Sequence, residues 1–277
     1  MTQPQDTLSE AARRMDPINR RAWRQGATVQ RFRDLEGWSD PGERAALECV
    51  KADATNQPIL DLGVGAGRTV PLFRNISRDY IGLDYTPELL KVCREKHPGV
   101  RIVQGDARDL SDFADCSFTL VAFSFNGIDA VNADDRVSIL QECWRVLRPG
   151  GALLFSSHNR NGPGHRERLS FEVHRTRNPL KLARQLGMAI LHAAQTVRNY
   201  KRYSKLGYDG DQYSIRNASA HNHGILIHYI SLESQLTQLA SIGFQAHPLV
   251  FANTDGRRLT LGDDTSDVWW FHLVVRK

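Results

Sequence analysis

The sequence predicts an α/β fold, a parallel sheet with helices on both faces. Three observations carry that reading. Short apolar runs alternate with helical patterns between residues 59 and 157. The first run, Ile59-Leu60-Asp61-Leu62, feeds a glycine-rich turn, Gly63-Val64-Gly65-Ala66-Gly67, and then a helix. Acidic residues recur at the ends of the first three runs: Asp61, Asp84 and Asp106. In an open parallel sheet those ends line one crevice, where ligands bind.

In chain order, residues 1–40 read as a polar leader with a short helical pattern. Asp40 is placed to cap a helix that has Pro41 in its first turn and runs through Ala45, Leu47 and Val50. Strands are expected at 59–62, 80–83, 100–103, 117–123 and 152–156. The helices between them are expected near 67–75, 86–96 and 134–147. Leu147-Arg148-Pro149-Gly150-Gly151 turns the chain into the fifth strand. At residue 160 the rhythm breaks. After the loop Asn161-Gly162-Pro163-Gly164, apolar residues at Leu182, Leu186, Ile190, Ala193, Val197 and Tyr200 predict a helix over 179–203 with basic outer faces. Alternation then returns: a helix near 231–242 capped by Ser231, and strands near 244–251 and 268–275. The domain plan is a leader (1–40), a ligand-binding core (41–158), a basic helical insertion (159–224) and a completion of the core sheet (225–277).

Bulk properties exclude several classes. A hydrophobic content of 41% and a charged content of 24% suit a water-soluble globular chain. No apolar run approaches the ~20 residues of a membrane span, and the polar N-terminus lacks the apolar core of a secretion signal. Cys49, Cys93, Cys116 and Cys143 form no CxxC pair. A disulfide framework and a zinc site are therefore not expected, and the cytoplasm is the expected compartment. The net charge of +5 is uneven. Residues 160–216 hold 12 Lys/Arg against 4 Asp/Glu, and the remainder holds 24 against 27. An anionic partner belongs at that basic segment. The absence of an attached RNA-binding module disfavours nucleic acid.

Each site residue has a physical reason. Gly63 supplies a tight turn, Gly65 lets a ligand approach the backbone, and Gly67 lets the next helix start close to the strand. Asp84, 17 residues after Gly67, can accept both hydroxyls of a ribose. Tyr85 can pack on an adenine face, and Asp106 can receive the adenine amino group. A pyrophosphate would be repelled by so many carboxylates; a ligand with an ammonium and a sulfonium would not.

These motifs, DLGVGAGR, GLDYTPELL, GDARDL and ECWRVLRPGG, resemble those of the class I S-adenosylmethionine-dependent methyltransferases, in particular type 11/25-like members with small-molecule acceptors. The resemblance covers residues 40–157 strongly and 225–277 in layout. It implies a Rossmann-like, seven-stranded, mostly parallel sheet with the last strand antiparallel, and a helical lid insertion. It implies S-adenosyl-L-methionine as cofactor, S-adenosyl-L-homocysteine as product, and no metal. Carried onto this sequence, Asp61 and the Gly63 backbone hold the methionine end, with Arg68 reaching its carboxylate. Asp84 holds the ribose, and Tyr85, Asp106 and Ala107 surround the adenine. Phe123 and Ser124 lie along the methionine and face the acceptor.

Methyl transfer to a hydroxyl needs a base. His158, after the fifth strand, is the leading candidate; His223 and then His228, in the returning segment, follow. Asn126 and Asp129 are expected to orient the acceptor hydroxyl. His221 and His223 would share one face of a strand but lack a third metal ligand. Strand four ends Phe123-Ser124-Phe125-Asn126, without the Asn/Asp-Pro-Pro-aromatic pattern of enzymes that methylate base amines or glutamine amides. The expected acceptor is a small molecule or glycan, anionic to match the insertion. Amine methylation and a non-catalytic, cofactor-binding partner subunit are the alternatives. The basic helix over 179–203 also suits contact with a membrane surface.

Overall fold

The computed structural model describes residues 4–167, 169 and 193–277. The leader is two helices, α1 (Pro4–Trp23) and α2 (Gly26–Arg33), more regular than the sequence pattern suggests. Helix α3 (Pro41–Ala54) starts as expected: Asp40 accepts from the Glu43 amide at 2.8 Å, and Pro41 occupies the first turn. The core then alternates β1 (Ile59–Leu62), α4 (Val70–Arg74), β2 (Tyr80–Asp84), α5 (Pro87–Lys96), β3 (Arg101–Gln104), β4 (Phe118–Phe123), α6 (Ala133–Val146) and β5 (Leu147–His158). Residues 193–203 are helical (α7). There follow β6 (Tyr208–Asp209), β7 (Tyr213–Ala218), the one-turn α8 (Ala220–His223), β8 (Ile225–Ile230), α9 (Leu232–Ile242), β9 (Leu249–Ala252), β10 (Arg258–Leu259) and β11 (Trp270–Arg276).

The main sheet has the order β10-β9-β11-β5-β4-β1-β2-β3. Strands β1 to β5 are mutually parallel, and β11 is antiparallel to both β5 and β9. The expected seven strands are eight, because the two-residue β10 pairs antiparallel with β9 at the edge. Alternation along each strand divides the core in two. Leu60, Leu62, Leu83, Val121, Phe155 and Leu273 face one layer, with α6 and α9 side chains such as Leu140 and Leu239. Ile59, Tyr80, Leu120, Leu154 and Val274 face the other, where Val50 of α3, Phe73 of α4 and Leu90 of α5 cover them. Asp61 shares this second face in β1 and is the polar exception within it.

Segment 225–230 does not join the main sheet. Strand β8 pairs with β7 in a separate antiparallel sheet, β6-β7-β8. The division drawn at 224/225 therefore falls between two paired strands. The small sheet meets the end of β5 through an Asn159–Ile230 bridge and the Arg160 amide, which donates to the Ile230 carbonyl at 3.0 Å. Helix α1 lies against it: Ala11 and Met15 pack with Ile215 and Leu226. Asn19 ties the two together by donating to the Leu226 carbonyl and accepting from the Leu226 amide, at 2.8 and 2.9 Å. Most of the helix expected over 179–203 lies outside the described residues; its final 11 positions are α7.

Candidate functional site

The crevice at the carboxyl ends of β1 and β2 is organised by two buried acids. Asp61 is 1% exposed, and its Oδ2 accepts from Tyr80 Oη at 2.7 Å and from Thr69 Oγ1. Its Oδ1 is buried and has no partner. Burial pushes the carboxyl up to about 7, against the opposing pull of those two hydroxyls. A cation arriving at Oδ1 would relieve this cost, so the site fits an ammonium-bearing ligand. Asp84 uses both oxygens on backbone: Oδ2 accepts from the Gly65 amide at 3.0 Å and Oδ1 from the Thr86 amide at 2.7 Å. Each oxygen has a second lone pair left for a ligand hydroxyl. Burial raises Asp84 as well.

The glycine turn is a packing requirement as much as a ligand slot. Gly63 has φ +65°, and a Cβ there would meet Phe123 Cε2 at 2.7 Å. Gly65 has φ +55°. Gly67 has φ +92°, and a Cβ there would strike His97, the residue that ends α5, at 2.7 Å and Cys93 of α5 at 3.1 Å. The space Gly67 leaves is thus filled by α5.

Arg68 was expected at a cofactor carboxylate. It is 5% exposed and committed elsewhere: it makes a bidentate pair with Glu43 of α3 at 2.7 and 2.8 Å and donates to the Trp38 carbonyl. Its geometry locks the glycine turn to the N-terminal region.

At the far side of the crevice, Tyr85 and Asp106 are joined by a residue that sequence reasoning missed. Arg20 of α1 lies 4.1 Å from the Tyr85 ring centroid and donates to Asp106 Oδ2 at 2.6 Å. Arg108 also grips Asp106 with its amide, Nε and Nη2. Burial works against ionisation of Asp106, but the bonds from Arg108 and Arg20 outweigh it and hold the acid down at about 2. Ala107 is buried in the core beside them.

At the end of β4, Phe123 is buried against Gly63 and Gly127. Ser124 is 8% exposed, with its Oγ unpartnered. Phe125 and Asn126 follow with φ +57° and +60°, a left-handed conformation that Asn adopts readily and that is costly for Phe125. The Asn126 amide donates to Ser156 Oγ at 2.7 Å, which fixes the turn to β5.

The structure brings His158, Asn126 and Asp129 together. Asp129 Oδ2 lies 2.8 Å from His158 Nδ1 and accepts from the His158 amide at 2.6 Å. Asp129 Oδ1 accepts from Ser157 Oγ at 2.9 Å and pairs with Arg136 of α6. Neither side chain of that ion pair is exposed to solvent. Burial opposes the charge on Asp129, but Arg136 and His158 hold its carboxyl below the usual range. Arg136 is satisfied further by Ser157, Gln235 and Gln238. With Nδ1–H donating to the carboxylate, His158 Nε2 is the acceptor, 3.5 Å from Asn126 Nδ2. Asp129, expected to orient an acceptor hydroxyl, orients His158 instead.

Of the other candidate histidines, His223 and His221 are held by partners outside this dyad, and His228 lies within electrostatic reach of Asp129, Arg136 and His158. His223 Nδ1 lies 3.1 Å from Asn217 Oδ1, and its ring meets Tyr200 edge-on. His221 Nδ1 lies 2.9 Å from Thr28 Oγ1, and its ring packs against Trp23. Both sit in a left-handed turn with Asn222, φ +55° to +56°, so they do not share a strand face. His228 is fully buried and stacked on Tyr213; burial depresses it to about 3. Among the described residues no group of three His, Cys, Asp or Glu could hold a metal ion.

Residues 60–155 match the family described as a methyltransferase domain. The chain is 36% identical over 122 residues to a demethylmenaquinone methyltransferase from Renibacterium salmoninarum, covering 43% of this chain and 49% of that one. It is 30% identical over 134 residues to a malonyl-[acyl-carrier protein] O-methyltransferase from Pectobacterium atrosepticum, covering 48% and 50%. The chain spans about half the length of these curated relatives. Among solved structures, an S-adenosylmethionine-dependent methyltransferase from Mesorhizobium loti aligns with a TM-score of 0.55 at 19% identity, over 84% of this chain and 98% of that one. The Burkholderia thailandensis 1,6-didemethyltoxoflavin-N1-methyltransferase, with bound S-adenosylhomocysteine, aligns with 0.55 at 12% identity, over 100% and 91%. These last two show a shared fold.

Proposed function

We propose that this protein, whose residues 60–155 match a methyltransferase domain, is an S-adenosylmethionine-dependent methyltransferase that methylates an oxygen of a small-molecule acceptor, with His158 as general base. The cofactor supplies an electrophilic methyl group on a sulfonium. Asp61 and the Gly63–Gly67 turn hold its amino-acid end, Asp84 its ribose, and Tyr85, Asp106 and Ala107 its adenine. Phe123 and Ser124 line the path to the acceptor.

The observation that carries the reading is the Asp129–His158 contact at 2.8 Å. A buried carboxylate fixes one ring nitrogen as donor and leaves the other as a proton acceptor at the crevice rim. An amine acceptor needs less help from such a base, and an oxygen nucleophile uses it fully. His223 has no comparable partner: its Nδ1 faces an amide oxygen.

An anionic acceptor rests on the basic segment of the sequence; the arginine-lined cavity shares no lining residue with the crevice. Arg21, Arg198 and Arg202, with Gln25, Gln195 and Asn199, line a cavity of about 290 Å³ between α1 and α7. No salt bridge engages those three arginines among the described residues. All four cysteines are free, which supports a reducing compartment. No helix among the described residues is long and apolar enough to cross a membrane.

The test is transfer of labelled methyl from the cofactor into fractionated cell extract. A labelled methyl ether or ester, lost with His158→Gln while cofactor affinity holds, supports the reading. Labelled amines, or unchanged turnover by the variant, overturn it.

A further inference from the structure

Rings from several parts of the chain gather around the dyad. His158 lies 5.2 Å from Tyr229 of β8 and 6.2 Å from Trp270 of β11, centroid to centroid. Trp270 lies 6.4 Å from Phe125, which in turn lies 5.6 Å from Trp38. A line of aromatic contacts thus runs from the glycine-turn side of the crevice to the proposed base.

The geometry of that line matters. The contacts of Trp270 with His158 and Phe125, and of Phe125 with Trp38, are edge-to-face, with interplanar angles of 68° to 84°. Each edge-to-face contact covers at most one face of a ring and leaves the other for a flat guest; one face of Phe125 is taken by the Arg68 guanidinium, 5.2 Å from its centroid. Trp38 is 43% exposed, and Phe125 and Trp270 are half-buried, so this is not a sealed core. Within the same wall, Ser124 Oγ and Asn126 Oδ1 are buried without partners, on residues 8% and 7% exposed. Such groups are costly unless something bonds to them. Phe125 also holds strained left-handed backbone at this point, and strain of that kind gathers at ligand sites.

We infer that the acceptor is a phenol-type molecule: a planar aromatic ring lying against the half-buried Trp270 and Phe125, with its hydroxyl at His158 Nε2 and a neighbouring polar substituent at Ser124 and Asn126. This deepens the reading of His158 as base and rests on it. Chemistry supports the same class. A phenol hydroxyl is far more acidic than an aliphatic one, which behaves more like water. One neutral imidazole is a sufficient base for the phenol and a poor one for the alcohol. In the step, the hydroxyl proton passes to His158 Nε2 and the oxygen forms the new bond to the methyl carbon. The carbon–sulfur bond breaks, and its electron pair stays on sulfur.

The test uses the full chain with labelled cofactor and matched acceptors. Catechol and 2-naphthol are compared with cyclohexanol, trans-cyclohexane-1,2-diol and methyl glucoside. The expected result is a phenyl methyl ether formed at least about tenfold faster than any saturated product. Trp270→Leu should raise KM for 2-naphthol about tenfold while kcat moves less than about threefold. Binding of 2-naphthol, measured calorimetrically with S-adenosylhomocysteine present, should weaken in parallel. Because Trp270 Nε1 also donates to Asp40 at 3.0 Å, the more exposed Trp38→Ala serves as a second variant and should shift both readouts in the same direction. Saturated alcohols or the glucoside reacting as well as phenols, or no phenol binding below about 1 mM, overturns the acceptor class. His158→Gln then separates the two ideas: if turnover of whichever acceptor reacts survives, the base assignment fails too, and if turnover is lost, that assignment stands.

Discussion

Asp129 and Arg136 face each other with no solvent on either side chain, and the same carboxylate holds His158 by ring and backbone. A structural ion pair and a proposed catalytic base therefore share one carboxyl group. Removing it should separate two effects. Asp129→Ala strands a buried guanidinium and should destabilise the fold by about 3–5 kcal/mol in urea unfolding. Asp129→Asn keeps the shape but can present an amide N–H to Nδ1. It should cost less stability while lowering kcat by about 10²-fold or more. Equal losses of kcat and stability in both variants would make the role of Asp129 purely structural.

Asp61 gives a pH signature. Its folded carboxyl titrates near about 7, above the ordinary 3.8, because it is buried. The folded state therefore binds this proton more tightly than the unfolded chain does. The resulting stabilisation is present at low pH and is lost as pH rises from about 4 to 7. Asp61→Asn lacks this titration, so its stability relative to wild type should improve across that window in ligand-free protein. Cofactor affinity should behave oppositely: the advantage of wild type over Asp61→Asn grows as the carboxylate forms. Parallel urea and calorimetric titrations at pH 5, 7 and 8.5 check both slopes.

Arg20 covers the Tyr85 face on which an adenine would stack. Lifting it breaks a cation–π contact, worth about 0.5–1 kcal/mol at partly exposed sites, and the part-exposed ion pairs with Asp16 and Asp106, which add little more. Arg20→Ala should tighten S-adenosylhomocysteine binding about two- to fivefold by calorimetry. Weaker binding by the variant would mean that the guanidinium stays and holds the adenine.

Gly63→Ala adds a methyl group 2.7 Å from Phe123 at a φ of +65°. The variant should lose about 1–3 kcal/mol of stability. Phe123→Leu should recover part of that loss, since it removes the nearest clash. Thermal unfolding of the single and double variants reads this out.

Local features were legible in the sequence, and long-range partners were not. The short apolar runs and the glycines located β1, the turn and the three acids, because each is fixed by neighbours in the chain. Asp40 as a cap and Ser231 as a cap were legible for the same reason. Arg68 was misjudged because its partner, Glu43, lies 25 positions away on another helix. Arg20 was missed because it reaches Asp106 across 86 positions. Strand β8 was not among the expected strands, and nothing local distinguishes pairing with β7 from pairing with the main sheet. The left-handed run His221–His223 contains no glycine, so its backbone gave no signal. Asp129 was noticed, but its tie to His158 depends on how the loop after β4 folds back on β5.

Helix α1 carries a kinetic implication. Asn19 is fastened to β8 at Leu226, and its immediate neighbour Arg20 rests on Tyr85. Strand β8 also carries Tyr229, beside His158. One helix thus spans both half-reservoirs of the crevice, and whatever displaces Arg20 acts on the strand that walls the second. The two substrates should then add in a compulsory sequence, methyl donor first. Product-inhibition patterns should show the demethylated donor competing with its parent alone, and the methylated acceptor competing with neither.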